Sequence, residues 1–187
     1  MLLFVNACLR DSSRTERLAN MWLERRAYDG EIITLSLAEL DVAPLDAIGS
    51  SPIGAYNEGV ASSDFGHSLF DFAKQFAQAD EVLIAAPVWN YSLPAKLNAY
   101  LELVCSQGVT FDVDATGAYV GLTKIQRLTF VTTAGGYQME PQDDHAFGYI
   151  RTLAERFWHI PRIDMIAAWG MDIPGEDPEK LLETALG

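Results

Sequence analysis

The chain is poor in cysteine, with Cys8 and Cys105 alone among 187 residues. Two thiols so far apart build neither a disulfide framework nor a metal-ligand cluster, so a reducing compartment is expected and a bound metal is not. Long apolar runs are missing too. None approaches the roughly 20 residues of a membrane span. The stretch Met1 to Leu9 carries no basic leader before Arg10 and Asp11 break it, which predicts a cytoplasmic protein. Basic residues are scarce: thirteen Lys and Arg face twenty-six Asp and Glu, for a net charge of −13. Such a field repels phosphate backbones and anionic headgroups, which argues against nucleic-acid or membrane partners. Neither a G-x-G-x-x-G dinucleotide turn nor a G-x-S-x-G nucleophile elbow is present. What the chain does have is apolar material, 49% of residues against 21% charged. That composition excludes a disordered polymer and predicts one domain over 1–187 with a substantial core.

Five short apolar runs read as strands: Leu2 to Cys8, Glu31 to Leu37, Glu81 to Ala86, Arg127 to Thr133 and Ile163 to Ala168. They lack clean alternation, as strands covered on both faces do. Between them the apolar spacing turns helical: Leu18, Met21 and Trp22; Phe65, Leu69, Phe72 and Phe76; Leu93, Leu97, Tyr100 and Val104; Phe147, Ile150, Ala154 and Phe157. A last helix should start at Pro178 behind the cap Asp177. Strands alternating with helices predict an α/β, doubly wound, five-stranded parallel sheet in the flavodoxin-like order 2-1-3-4-5. Asp41 to Ser63 is too long for a simple connection and reads as a surface excursion. Sheets of this kind bind ligands beyond the carboxyl ends of their strands, at the switch point between strands 1 and 3. The loops after strands 1, 3 and 4 are therefore the ones to read.

The first loop, Cys8 to Thr15, sets the hydroxyls of Ser12, Ser13 and Thr15 beside Arg10 and Arg14 at a helix N-terminus. Unpaired amides and the helix dipole there favour a phosphate dianion. The same residues also fit a capping box, with Ser13 and Glu16 as reciprocal partners. The second loop, Pro87-Val88-Trp89-Asn90-Tyr91, presents flat apolar surface and backbone amides, although Trp89 and Tyr91 also suit ordinary packing. The third, Thr133-Ala134-Gly135-Gly136-Tyr137, lets backbone approach a ligand closely and adds a stacking face; a tight turn is the alternative. A phosphate cradle beside two such edges has the outline of flavin mononucleotide (FMN). His145 is the one histidine in a loop near these edges and is a weak candidate proton donor, with a solvated or helix-capping role the plainer alternative.

The run from Ala86-Pro87-Val88-Trp89-Asn90-Tyr91 through Leu97 and Tyr100 to Gly108-Val109-Thr110-Phe111, followed by Thr133-Ala134-Gly135-Gly136, resembles the flavodoxin-fold NAD(P)H oxidoreductases, among them FMN-dependent NADH azoreductases and NAD(P)H quinone reductases. The resemblance implies that Ser13, Arg14 and Thr15 hold the FMN phosphate, with Cys8 where a small polar residue is usual. It places Val88, Trp89, Asn90 and Tyr91 along the ring and ribityl chain, and Thr133 to Gly136 at the pyrimidine edge. It also implies two-electron transfer from NADH or NADPH to a quinone or azo acceptor in a shared site, and a homodimer joined partly through Val109, Phe111, Val113, Tyr119 and Val120. Two positions depart from the azoreductase pattern: Ala134 stands where Arg is common, and Tyr137-Gln138-Met139-Glu140 lacks the usual His. A flavodoxin-type carrier without NAD(P)H activity is the competing expectation, since its acidic surface is equally consistent with the charge.

Overall fold

The computed structural model describes residues 1–45 and 52–187. Five parallel strands form the central sheet: β1 (Leu2–Asn6), β2 (Ile32–Ser36), β3 (Glu81–Ala85), β6 (Arg127–Thr133) and β7 (Ile163–Ala168), in the order β2-β1-β3-β6-β7. In chain order of the expected strands this is 2-1-3-4-5. Each strand lies within a residue or two of its predicted span. β1 pairs with β2 and β3 at once, Phe4 facing Thr34 on one side and Leu83 on the other, so the strand order reverses about β1 and β3.

Alternation along the strands divides the core between two layers. Leu2, Phe4, Leu83, Ala85 and Val131 pack with Leu18 and Ala19 of α1 (Arg14–Arg26) and Leu182 of α6 (Pro178–Ala185). Leu3, Val5, Val82, Ile84, Leu128 and Phe130 pack instead with α3 (Asp71–Ala77), α4 (Ala95–Val104) and α5 (Phe147–Arg156), where Phe76, Tyr100 and Trp158 are fully buried. The strands are therefore not featureless runs. Their inward residues alternate between two covered faces; β3 and β6 are partly exposed only at their first residues, Glu81 and Arg127, while the edge strands β2 and β7 are partly exposed along their length, as at Ile32 and Met165.

Helix ends follow local chemistry. Ser13 caps α1, and Ala27 ends it in the left-handed region with its N–H on the last-turn carbonyls. Asp177 caps α6, its Oδ1 accepting from Glu179 N–H at 3.1 Å. Three features depart from the expected layout. The helix before β3 starts at Asp71 rather than near Phe65, because His67 Nδ1 accepts from Leu69 N–H and caps a separate turn over Ser68–Phe70. The excursion contains a helix, α2 (Pro52–Ser62), while its residues 46–51 lie outside the described part. Between α4 and β6 an antiparallel hairpin intrudes, β4 (Phe111–Val113) against β5 (Tyr119–Gly121). No described helix is long and apolar enough to cross a membrane.

Candidate functional site

The loops after β1, β3 and β6 meet at the carboxyl edge of the sheet, as the topology requires, and enclose a hollow of about 430 Å³. Of the residues expected there, Arg10, Ser13, Arg14, Thr15, Pro87, Val88, Trp89, Thr133, Ala134 and Gly135 line it. A second hollow of about 460 Å³ continues past Val88, Ala134 and Gly135 and takes in Tyr91, Gly136 and Tyr137. Cys8 and Asn90 line neither.

At the closed end, Ser13 turns the chain into α1 and its Oγ accepts from Glu16 N–H at 3.4 Å. The capping box is only half made, because Glu16 turns away and accepts from Asn6 Nδ2 at 2.7 Å. The N–H groups of Arg14 and Thr15 find no acceptor among the described residues and stand at the positive end of the helix dipole. Thr15 is buried, and its hydroxyl shares a 2.6 Å hydrogen bond with that of Thr133, which locks the first turn of α1 to the end of β6. The thiol of Cys8 lies beneath the loop against Ala85 O, and burial pushes it up to about 11 despite the opposing hydrogen bond with Ser13. It is neutral packing under the cradle, which makes a thiolate role untenable at neutral pH.

The Arg14 guanidinium is already engaged. It donates to Met171 O at 2.9 Å and to Asp172 Oδ1 at 2.7 Å, bridging α1 to the segment after β7. Met171 and Asp172 line the hollow and were not anticipated; the signal was Gly170, a glycine with φ of 80° at the end of a strand leading to that same edge. Arg10 lies over the Trp89 ring, 5.4 Å from its centroid, which joins the first and second loops by a cation–π contact.

The second loop is held by Val88 N–H donating to Thr133 O at 3.2 Å, and by a tight turn in which Trp89 and Ser92 exchange both backbone hydrogen bonds. Its tip, Asn90 and Tyr91, takes positive φ at both residues, 52° and 64°. That is the geometry of a two-residue primed turn, which projects Asn90 into solvent and Tyr91 over the second hollow. In the third loop a side chain at Gly135 would fall 2.3 Å from Asp172 Oδ2, so any larger residue there would have to push the exposed Asp172 carboxylate aside. His145 is exposed and outside both hollows; its N–H donates to Tyr91 O and Asp143 O, which ties the second loop to the start of α5.

An anion cradle at one end, with a slot between the Val88-Trp89 and Ala134-Gly135 backbones at the other, suits an elongated ligand with one phosphate and one planar polar ring. Residues 1–187 match the family model described as flavodoxin-like fold. The chain belongs to that family. Its relatives include proteins named FMN-dependent NADH:quinone oxidoreductase from Clostridium beijerinckii, 32% identical over 97% of this chain and 90% of the relative. A second from Clostridium acetobutylicum is 34% identical over 97% and 90%. Among solved structures, an azoreductase from Bacillus anthracis superposes with a TM-score of 0.82 at 20% identity, covering 99% of this chain and 94% of that one. An FMN-dependent NADH-azoreductase of Bacillus anthracis in complex with FMN gives 0.80, also at 20% identity, over 99% and 93%. At such identity the superpositions establish the flavodoxin-like fold.

Proposed function

We propose that this chain is an FMN-dependent NADH:quinone oxidoreductase, a single domain over 1–187 that also accepts azo compounds and works as a homodimer in the cytoplasm. The observation that most directly supports it is the cradle of free amides at Arg14 and Thr15, set one loop away from the Gly135 slot in a hollow of about 430 Å³. FMN fits this arrangement in size and in the order of its parts. Ser13, Arg14 and Thr15 would hold its phosphate, Pro87, Val88 and Trp89 one side of the ring, and Thr133 to Gly135 the other. When bound, FMN takes two electrons with a proton from a reduced nicotinamide and passes them to the acceptor; the protein supplies placement and electrostatics.

The chain's own contributions are specific. The Thr15–Thr133 bond fixes the spacing between cradle and slot. The N–H groups of Gly135 and Gly136, free among the described residues, would donate to a ring edge on which negative charge develops. Tyr91 and Tyr137, 58% and 76% exposed, offer faces on which a flat substrate stacks next to the ring position. Relatives named as oxidoreductases favour this over a carrier that lacks NAD(P)H activity. The second hollow adjoins the slot at Val88, Ala134 and Gly135, so donor and acceptor would both stack there and use it in turn. Reconstituted protein should therefore show parallel double-reciprocal lines for NADH against benzoquinone. Intersecting lines, or a protein that takes up FAD and not FMN, would contradict the proposal.

A further inference from the structure

The second hollow carries charge of only one sign. Its wall between β6 and α5 includes Glu140 and Asp143, while no Lys, Arg or His lines it. Both carboxylates are exposed, and neither forms an ion pair or side-chain hydrogen bond among the described residues. Asp144 next to them is different: its Oδ1 accepts from Ala146 and Phe147 N–H at the start of α5. The two guanidiniums of the first loop line the other hollow: Arg14 is paired with Asp172, and Arg10, which keeps its charge, is stacked on Trp89. His145 follows Asp143 by two positions but does not line the wall. The rest of the lining is flat and apolar or neutral: Tyr91, Tyr137, Met139 and Gln138.

We infer that this hollow selects among aromatic acceptors by charge, taking neutral and cationic rings and rejecting sulfonated or carboxylated ones. The inference rests on the reductase proposal and adds its substrate class. Two tyrosine faces attract a cationic ring, and two uncompensated carboxylates add to that attraction. An anionic ring meets two like charges on this wall and no lining cation, within a chain whose net charge is −13. Glu140 and Asp143 are the residues that set the preference.

The test uses three acceptors that share one naphthoquinone ring: unsubstituted, bearing a sulfonate, and bearing a trimethylammonium group. For each, kcat/KM with saturating NADH and the dissociation constant from tyrosine fluorescence quenching are measured on FMN-reconstituted protein, at low and at high salt. The sulfonate should be disfavoured at least tenfold against the neutral ring. Each of Glu140→Gln and Asp143→Asn should shrink that ratio by roughly threefold to tenfold, as expected for removing one partly screened charge near the ligand. High salt should shrink it in the parent protein and hardly at all in the double variant. Equal kcat/KM and equal affinity for the neutral and sulfonated rings would overturn the inference, as would a ratio untouched by both substitutions. Absence of turnover with every acceptor would count against the reductase proposal alone, because the dissociation constants still decide the charge preference.

Discussion

Arg14 meets a carboxylate where the proposal places a phosphate. Its pair with Asp172 is exposed, 45% and 72% by side chain, so it contributes little to stability, about 0 to 1 kcal/mol. A charge-assisted bond to a phosphate is worth about 1.5 to 3 kcal/mol, and capturing Arg14 means exchanging one partner for the other. Arg14→Ala should then weaken FMN binding by roughly two- to a hundredfold. Asp172→Asn should tighten it by a few fold, since it removes both a competitor and a like charge. Flavin fluorescence titrations of the two apo variants check both directions, and tighter binding by Arg14→Ala would remove that side chain from the cradle. Cys8 makes a separate prediction about pH. Its thiol rises from 9.0 to about 11 because burial disfavours the thiolate, so the unfolded chain releases its proton first. Stability should be level below about pH 9 and fall as pH climbs toward 11. Cys105, pushed up to about 12 by burial and Glu102, adds to the same slope. Melting curves of the parent and Cys8→Ala between pH 8 and 11 should show a shallower decline in the variant.

Elements impose costs that single residues reveal. The turn at Asn90 and Tyr91 needs positive φ at both places, a conformation natural for Asn or Gly and strained for tyrosine. Tyr91→Gly should therefore stabilise the flavin-free protein, by about 0.5 to 1 kcal/mol and a melting shift of a few degrees. The same change should raise KM for quinone, because it removes a stacking face from the second hollow. Calorimetry together with steady-state kinetics separates the two effects. A lower melting temperature would mean that Tyr91 packing outweighs the strain. Strain kept at a loop tip that overhangs a hollow is consistent with selection for ligand contact rather than for stability.

For the whole molecule, the hairpin bears on assembly. Phe111 is taken up by its own core, packed edge-on against Phe157. Val113 of β4, Tyr119 and Val120 of β5, and Leu122 just beyond it are left 39–45% exposed. Exposed apolar side chains gathered on a two-stranded ribbon suit an isologous contact with a second copy. Sedimentation at micromolar concentration should give a dimer, and a Val120→Lys and Leu122→Lys double variant should give a monomer of unchanged secondary structure. A parent protein that sediments as a monomer would place the interface elsewhere or remove it.

The five strands, their parallel order and the convergence of three loops were legible in the sequence, because each rests on local spacing that few folds satisfy: apolar runs at Leu2, Glu81 and Arg127, and helical stripes such as Leu97, Tyr100 and Val104 between them. The caps at Ser13 and Asp177 were legible for the same reason, since a cap depends on residues within one turn. Contacts between segments far apart in the chain were not. Asp172 reaches Arg14 across 158 positions, and Thr15 reaches Thr133 across 118. The hairpin at Phe111 to Gly121 was hidden because three-residue strands give too few alternations to read. The positive φ at Tyr91 was hidden because its side chain argues against it. Spacing along the chain determined the fold and the place of the site. The tertiary structure decided which charges face the ligand, because electrostatic partners are chosen by proximity in space and leave no period in the sequence.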